Sequence, residues 1–235
     1  MKIALLGYGK MGKTIERLAL EKGHTIVFVS SAEGMEGTLN HADVAIEFST
    51  PETAAANIGQ CFEHHIPVVS GTTGWLDQFE EVLKLCESRN GSFIYASNFS
   101  VGVNLFFNLN EYLAQLIKPW TEYQVSVEEI HHTEKLDAPS GTAISLAEGI
   151  LKHSEKQQWK LDGKNAEDLN ISAKRIPNVK GTHTVEYTSE NDEIRITHQA
   201  HTRDGFGMGA ILAAEWLVGK QGVFTMKDVL GMGNG

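Results

Sequence analysis

The segment 128–142, EEIHHTEKLDAPSGT, gathers the residue types that an acid catalyst for an anionic substrate needs. A histidine exchanges a proton near neutral pH, and a lysine holds a carboxylate or supplies a second proton. His131, His132 and Lys135 provide both groups in one short stretch. The alternative is a partly exposed histidine pair beside a solvated lysine, because polar clusters often mark loops. The helix start that follows favours the catalytic interpretation.

A predicted strand and a predicted helix flank this segment and would position it. Residues 125–130 alternate between apolar and polar, which predicts a strand whose exit carries the two histidines and the lysine. Apolar spacing predicts a helix over 142–153, with Pro139 in its first turn and Ser140 or Thr142 as its cap. The amide hydrogens and positive dipole end of a helix start bind anions, carboxylates included. We therefore expect one anionic ligand here.

A nucleotide-binding motif opens the chain. Residues 2–6 predict a buried strand, the glycines of GYGKMG at positions 7, 9 and 12 follow at once, and 14–23 predict a helix. In this order the glycines allow a tight turn, close approach of a pyrophosphate and close packing of the helix on the strand. A glycine-rich turn without a ligand is the alternative, and the order of the elements favours a dinucleotide.

The choice of dinucleotide depends on the end of the second predicted strand, 24–29. An acidic side chain about 20 positions after the glycines favours NAD, but the chain reads Ser30-Ser31-Ala32-Glu33 there. Ser31 presents no fixed negative charge to a 2′-phosphate, and Lys10 could pair with one, whereas Glu33 could still reach the ribose. The sequence predicts NADH or NADPH as the cofactor and leaves the choice open.

The first half of the chain alternates strands with helices. Further buried strands are predicted at 42–48, 66–70 and 93–96. Such alternation predicts a parallel sheet with ligands at the carboxyl ends of its strands. A helix is predicted over 101–120, and the second half of the chain that follows it has a different pattern of strands.

The second half predicts a mixed or antiparallel sheet, with strands at 172–176, 182–189 and 193–201. The polar segment 154–170 is predicted as a surface loop, and 203–209 as a glycine-rich turn before a last helix. Candidate anion contacts, each also typical of a solvated strand residue, are Arg175, His183, His198 and Arg203. The predicted fold class is α/β: an N-terminal Rossmann-type parallel-sheet domain (1–100 plus 207–235) and a C-terminal α+β substrate and oligomerisation domain (101–206).

Composition excludes several classes of partner. The formal net charge of −10 argues against nucleic acid and anionic membranes, which both need a basic footprint. No apolar run approaches membrane length and the start lacks a signal-peptide pattern, so we expect a cytoplasmic protein. Cys61 and Cys86 lack the spacing of a zinc site or a disulfide framework, and we expect no metal and two core thiols.

With these residues in view, the chain resembles the dihydrodipicolinate reductase family of bacterial and plant lysine and diaminopimelate biosynthesis. EIHHTEKLDAPSGT is similar to the family signature E-x-H-H-x-x-K-x-D-A-P-S-G-T without a gap. GTTG at 71–74, SNFSVGVN at 97–104 and the turn at 203–210 also match. The chain departs from the family at Ser31, where many members carry an acidic residue, and the 153–172 loop does not align.

The resemblance assigns roles to residues of this chain. It implies His131 and Lys135 as the catalytic pair, with substrate carboxylates held at His132, Gly141 and Thr142 and at the predicted cap Ser140. It implies that the cofactor is bordered by three stretches, which with Ser31 give this set: Gly7, Tyr8, Gly9, Lys10, Met11, Gly12, Ser31, Gly71, Thr72, Thr73, Ala96, Ser97, Asn98 and Phe99. It also implies a homotetramer joined through the C-terminal sheets.

The implied activity is hydride transfer from nicotinamide C4 to ring C4 of a dehydrated dipicolinate-type dicarboxylate. His131 would aid protonation and Lys135 would control charge, with hinges near residues 100 and 205 closing the two domains. One rival is another two-domain nicotinamide oxidoreductase, acting on a sugar or a semialdehyde. A second is a catalytically idle nucleotide-binding sensor, which would lack the matched acid pair and anion site.

Overall fold

The computed structural model describes residues 1–232. The chain forms two compact units, which we describe separately: unit 1 comprises Met1–Val101 with the segment from Arg203 onward, and unit 2 comprises Gly102–Thr202. The second boundary precedes the predicted one at 206/207 because a helix that begins at Asp204 belongs wholly to unit 1. Positions 233–235 of the predicted first domain lie outside the described residues.

The secondary structure alternates in the first half and is richer in strands in the second. The strands are β1 (Lys2–Leu6), β2 (Thr25–Ser31), β3 (Gly34–Gly37), β4 (Val44–Glu47), β5 (Val68–Ser70), β6 (Ser92–Tyr95), β7 (Gln124–His131), β8 (Gln158–Leu161), β9 (Asp168–Arg175), β10 (Thr182–Thr188), β11 (Glu193–Gln199) and β12 (Gly222–Phe224). The α-helices are α1 (Lys10–Glu21), α2 (Pro51–Glu63), α3 (Phe79–Ser88), α4 (Val101–Ile117), α5 (Gly141–Leu151), α6 (Asp204–Leu217) and α7 (Met226–Val229), with 3-10 turns at Leu39–His41 and Leu76–Gln78.

Unit 1 is a doubly wound sheet with strand order β12-β6-β5-β4-β1-β2-β3. The strands are parallel except for β3, which pairs antiparallel with β2. One apolar cluster joins one sheet face to α1 and α6, and a second joins the other face to α2 and α3. Burial on both faces explains why these strands are almost continuously apolar. The strand order reverses between β1 and β4, the place where such sheets bind ligands.

Unit 2 is a mixed sheet with strand order β11-β10-β7-β9-β8. β7, β9 and β8 run parallel, whereas β10 pairs antiparallel with both β7 and β11. Apolar residues of α4 and α5 cover one face of this sheet, where Phe106, Leu146 and Val127 belong to one core cluster. These arrangements confirm the predicted class, a parallel-sheet domain followed by an α+β domain.

Two sequence-based predictions about local structure are wrong. The segment 154–170 is not simply a loop, because it contains β8, an edge strand whose side chains are mostly exposed and therefore give little apolar signal. The segment 203–209 is not a turn but the start of α6. Its glycines serve packing: a Cβ at Gly209 would lie 1.8 Å from the carbonyl oxygen of Phe99. The short strands β3 and β12 were also missed.

Two findings bear on the broad class of the protein. Cys61 and Cys86 are both buried in the second cluster of unit 1, as predicted, and burial raises the pKa of each thiol. Across residues 1–232, no helix combines the length and apolar character that crossing a membrane requires.

Candidate functional site

The glycine-rich turn joins β1 to α1 at the carboxyl edge of the unit 1 sheet. Gly7 has φ +99°, and a Cβ there would lie 2.0 Å from the carbonyl oxygen of Phe48. A Cβ at Gly12 would lie 2.3 Å from the carbonyl oxygen of Gly7, so this glycine lets the helix pack on the turn. A Cβ at Gly9 would meet no atom within 4 Å. Two glycines thus serve the fold, and Gly9 leaves backbone open to a ligand.

The other residues of the turn add positive charge beside this open backbone. Lys10 is exposed, and α1 has no acidic residue in its first turn to balance the positive end of its dipole. The Tyr8 hydroxyl donates to the carboxylate of Glu16, which raises the Tyr8 pKa. Met11 packs against the core of unit 1. A bound phosphate would satisfy the helix start and the lysine together.

Ser31 is the last residue of β2 and forms the turn into β3. Its hydroxyl donates to the Gly34 carbonyl (3.3 Å) and accepts from the Glu33 amide (3.1 Å). Glu33 is exposed. The side chain of Ser31 is therefore engaged within the hairpin, and no carboxylate stands at its position.

Glu47, at the end of β4, organises two of the turns beside the glycine loop. It is 0% exposed, and its carboxylate accepts hydrogen bonds from the Ser70 hydroxyl (2.6 Å), the Thr72 hydroxyl (2.9 Å) and the Ser49 amide (3.0 Å). The Thr72 hydroxyl also accepts from the Ser49 amide (2.8 Å). Sequence reasoning missed Glu47, since an acidic residue inside a buried strand gives no motif.

The predicted cofactor residues follow β1, β2, β5 and β6, whose carboxyl ends meet along one edge of the parallel sheet. Along this edge Gly71 and Ala96 are half-buried, and Thr73 and Ser97 are exposed. Asn98 is buried and its side-chain oxygen accepts from the Ser100 amide (2.9 Å). Phe99 is 1% exposed and packs in the core, so its side chain serves the fold.

The signature histidine of unit 2 comes from the end of β7. His131 is the last residue of this strand and is 8% exposed, while His132 is half-buried just after it. The Nδ1 atoms of both rings are buried, and neither has a hydrogen-bond partner among the described residues. Unpaired buried polar atoms are uncommon in proteins, so both nitrogens are available to a hydrogen-bonding partner from outside the described residues.

A buried polar cluster surrounds His131. Glu129 lies on the same face of β7, with a carboxylate oxygen 3.6 Å from His131 Nδ1 and 3.8 Å from His183 Nε2. The two imidazole rings meet edge to face at 5.0 Å between centroids. Burial lowers the pKa of His131, against the opposing effect of Glu129, and burial together with the charge of His131 lowers the pKa of His183 to about 3.

The cluster has residue types that also bind metals, because one nitrogen or oxygen from each of Glu129, His131 and His183 lies within 4.8 Å of the others. However, the Arg175 guanidinium donates to Glu129 (3.3 Å), and the Ser140 amide donates to its other oxygen (2.9 Å). A cation would have to displace these donors and tolerate the arginine. We therefore interpret the cluster as a set of titratable groups held by hydrogen bonds, rather than as a metal site.

Arg175 also fixes the loop that carries Lys135. Its guanidinium donates to the carbonyl oxygens of Lys135 (3.2 Å) and Asp137 (2.6 Å). Lys135 Nζ donates to both carboxylate oxygens of Asp137, each at 2.8 Å. Burial alone would raise the pKa of Asp137, but the hydrogen bonds and charge of Lys135 hold it below its usual value. Lys135 thus has a carboxylate partner within its own loop.

Helix α5 starts next to this cluster, as predicted. Ser140 is its N-cap: the side-chain oxygen accepts from the Ala143 amide (3.2 Å) and pairs with His183 Nε2 (3.1 Å). Gly141 is exposed, and a Cβ there would meet no atom within 4 Å. Thr142 is half-buried in the same turn. The structure therefore joins the histidine, the lysine loop and an open helix start within unit 2.

Both halves of the chain match models of one family. The model described as Dihydrodipicolinate reductase, N-terminus, matches residues 1–99, and the one described as Dihydrodipicolinate reductase, C-terminus, matches residues 102–230. The chain belongs to the dihydrodipicolinate reductase family.

Relatives within the dihydrodipicolinate reductase family cover nearly the whole chain. A 4-hydroxy-tetrahydrodipicolinate reductase from Christiangramia forsetii is 53% identical, with 98% of each chain covered. The enzyme of that name from Neisseria gonorrhoeae is 31% identical over 93% of this chain and 85% of its own. A dipicolinate-bound dihydrodipicolinate reductase from Paenisporosarcina sp. TG-14 has a TM-score of 0.77 over 96% of this chain and 97% of its own, at 20% identity, which shows the shared fold.

Sequence reasoning named part of this candidate site in advance. Of the four candidate anion contacts, the structure brings Arg175 and His183 to the cluster. His198 pairs with His183 across β10 and β11 and faces the Phe106 ring, and Arg203 belongs to unit 1. Glu129 was present in the signature but received no role. Its burial and its two donors are the signals that identify it.

Proposed function

We propose that the protein reduces 4-hydroxy-tetrahydrodipicolinate to tetrahydrodipicolinate, with loss of water, in lysine and diaminopimelate biosynthesis. The observation that carries this proposal is the 53% identity to a reductase of that name over 98% of both chains. The His131, Lys135 and α5 arrangement of unit 2 supports it, because it offers an acid, a cation and a helix start to one small dicarboxylate.

Within unit 2 we assign two tasks to the signature residues. Lys135, His132 and the α5 start at Ser140, Gly141 and Thr142 hold the substrate carboxylates. His131 delivers a proton to the substrate as the ring is reduced. Burial of His131 excludes bulk water from this proton and makes its transfer depend on the local charges.

A nicotinamide dinucleotide supplies the hydride when bound. The residues of unit 1 fit such a group, because Gly9 leaves backbone uncovered at the start of α1 and Lys10 adds a charge for phosphate. The turns after β1, β5 and β6 would hold it, through the backbone and the exposed side chains of the residues that the family resemblance implies. Glu47 keeps the β4 and β5 turns in place.

The experiment that tests this function measures initial rates of NADH and NADPH oxidation with substrate freshly made by the preceding synthase reaction. Turnover with either cofactor supports the reductase. Cofactor binding without turnover would reject the substrate assignment and favour the sensor.

We propose that both NADH and NADPH are used, and that Ser31 permits the second. Replacing Ser31 with Asp should lower kcat/KM for NADPH relative to NADH by about tenfold or more, because a carboxylate there repels a 2′-phosphate and accepts from a ribose hydroxyl. Thr25→Asp adds the same charge at the other end of β2 and should leave the ratio unchanged. Equal ratios in the wild type and Ser31→Asp would place the ribose elsewhere.

Asp137 should compete with an anionic ligand for Lys135. Asp137→Asn should tighten the binding of dipicolinate by up to about fivefold, since an ion pair this exposed, 63% at Asp137, is worth at most about 1 kcal/mol. Calorimetric titration measures the change. The control is Glu134→Gln, which removes the same charge from an exposed position of the same loop. Equal gains in both variants would indicate a general field effect and contradict the competition.

We further propose a cytoplasmic homotetramer joined through the unit 2 sheets. Supporting this, the helices of unit 2 cover one sheet face, and the other carries partly exposed side chains such as the bonded pair Thr184 and Thr197. Light scattering after size-exclusion chromatography gives the mass. A monomer at working concentration would reject this assembly.

A further inference from the structure

Glu129 is a buried carboxylate with an unusual set of neighbours. It is 0% exposed on β7, two positions before His131 and on the same face of the strand. A buried charge is costly unless donors surround it. Here the Ser140 amide donates to Oε2 at 2.9 Å and Arg175 donates to Oε1 at 3.3 Å. The Glu129 carboxylate is thus held in one place, by the α5 start on one side and by β9 on the other.

The same carboxylate faces the second nitrogen of the histidine. Oε2 lies 3.6 Å from His131 Nδ1, which has no hydrogen-bond partner among residues 1–232. The other nitrogen, Nε2, lies beside Gly181, where an added Cβ would come within 3.2 Å of it. The absence of a side chain at Gly181 keeps a Cβ out of close contact with Nε2. The ring therefore has one nitrogen towards the Glu129 carboxylate and the other beside a glycine.

The charged groups around His131 come from every element packed against it. Glu129 on β7 and Asp137 in the loop favour the protonated ring, whereas Lys135 in the same loop and Arg175 on β9 oppose it. His183 on β10, neutral because burial lowers its pKa to about 3, adds no charge near pH 7. Of the two acids, Glu129 is completely buried and Asp137 is already paired with Lys135. Glu129 is the dominant counter-ion.

We propose that Glu129 is a positioning residue that orients the His131 ring through Nδ1 and favours its protonated form against the effect of burial, so that Nε2 is the atom that donates the proton. This inference rests on the proposed function for its meaning in catalysis. The orientation and protonation of the His131 ring can be measured in the protein without any ligand.

The test is a titration of the histidine rings by NMR in the unliganded full chain, labelled with 15N and 13C in histidine. Glu129→Gln keeps an oxygen that can accept from the Ser140 amide but removes the charge. We expect the pKa of His131 to fall by about one unit or more, since an opposite charge this close shifts a pKa by about 1–3 units. An unchanged His131 pKa in Glu129→Gln would overturn the inference.

The control is Glu128→Gln, the neighbouring acid on the same strand. Glu128 is 36% exposed and pairs with Lys174 rather than with the histidines. Its replacement should leave the His131 pKa unchanged. An equal shift in both variants would show a general charge effect and would also overturn the role of Glu129.

A second measurement needs only the wild type and so holds even if Glu129→Gln fails to fold. Above the His131 pKa, the couplings between ring nitrogens and protons report which nitrogen keeps its hydrogen. The inference requires the hydrogen on Nδ1, facing Glu129. A hydrogen on Nε2 would overturn it.

The catalytic consequence is a change in pH profile. A proton donor must be protonated, so kcat/KM falls as pH rises through the pKa of His131 in the unliganded enzyme. In Glu129→Gln this fall should move to lower pH by the same displacement that NMR shows, whereas in Glu128→Gln it should not move. If the wild type shows no reductase activity, the proposed function fails while the NMR results still decide the role of Glu129.

Discussion

Replacing His131 with Ala should lower kcat by about 10²–10⁴-fold, the contribution that a positioned acid makes to such a reaction. The affinity for NADH and NADPH should stay within about twofold, because His131 belongs to unit 2 and the glycine-rich turn belongs to unit 1. Initial rates at saturating substrate and a fluorescence titration with each cofactor measure the two quantities. The expected result is a protein that binds cofactor and hardly turns over.

The matched control is His153→Ala, a half-buried histidine just beyond α5 in the same unit. It should keep wild-type kcat. A His131→Ala variant with wild-type kcat would show that another group protonates the substrate. A large loss of cofactor affinity in His131→Ala would show that the variant disturbs more than the proton donor.

The parts of the site that the sequence predicted are those encoded in consecutive residues. The glycines at 7, 9 and 12 must follow β1 directly, so their spacing carries the turn. His131 and Lys135 lie between a strand and a helix, and Ser140 caps that helix as expected. In each case, residues that are neighbours in the sequence form the structural feature, so the sequence pattern alone predicts it.

The parts that the sequence did not predict depend on contacts between distant residues. Glu129 meets His183 only because β10 pairs with β7 in a register that sets these two residues opposite each other. Arg175 reaches the same carboxylate from β9, at the position that pairs with His131. Registers of this kind arise from the packing of the whole sheet. The buried Glu47 was missed for the same reason, since its donors come from separate turns.

The start of α6 shows how a glycine pattern can mislead. Residues 203–209 look like a turn because three glycines alternate there, yet Gly205, Gly207 and Gly209 are helical. A Cβ at Gly207 would lie 2.8 Å from a side-chain carbon of Leu18, so the glycine permits α6 to lie close to α1. Glycine in a helix costs stability on its own. Close helix packing offsets that cost and is invisible to a local pattern.

Alanine substitutions at Gly9 and Gly12 should separate cofactor binding from folding. Gly9 has φ −78° and ψ −155°, which alanine adopts, and no atom lies within 4 Å of its added Cβ. Gly9→Ala should therefore keep its melting temperature within about 3 °C but weaken NADH and NADPH binding by about tenfold or more, because the pyrophosphate must approach this backbone. Calorimetry of unfolding and of cofactor binding measures both effects.

Gly12→Ala should lower the melting temperature, which Gly9→Ala leaves nearly unchanged. Its Cβ would lie 2.3 Å from the carbonyl oxygen of Gly7, and backbone atoms on both sides must move to relieve the overlap. Overpacking of this kind costs about 1–3 kcal/mol or more, which lowers the melting temperature by roughly 3–10 °C in a chain of this size. Unchanged cofactor affinity in Gly9→Ala would mean that the pyrophosphate does not lie over Gly9. The open backbone at the start of α1 would then require a different ligand. The dinucleotide assignment would lose its structural support, whereas the description of the unit 1 fold would not change.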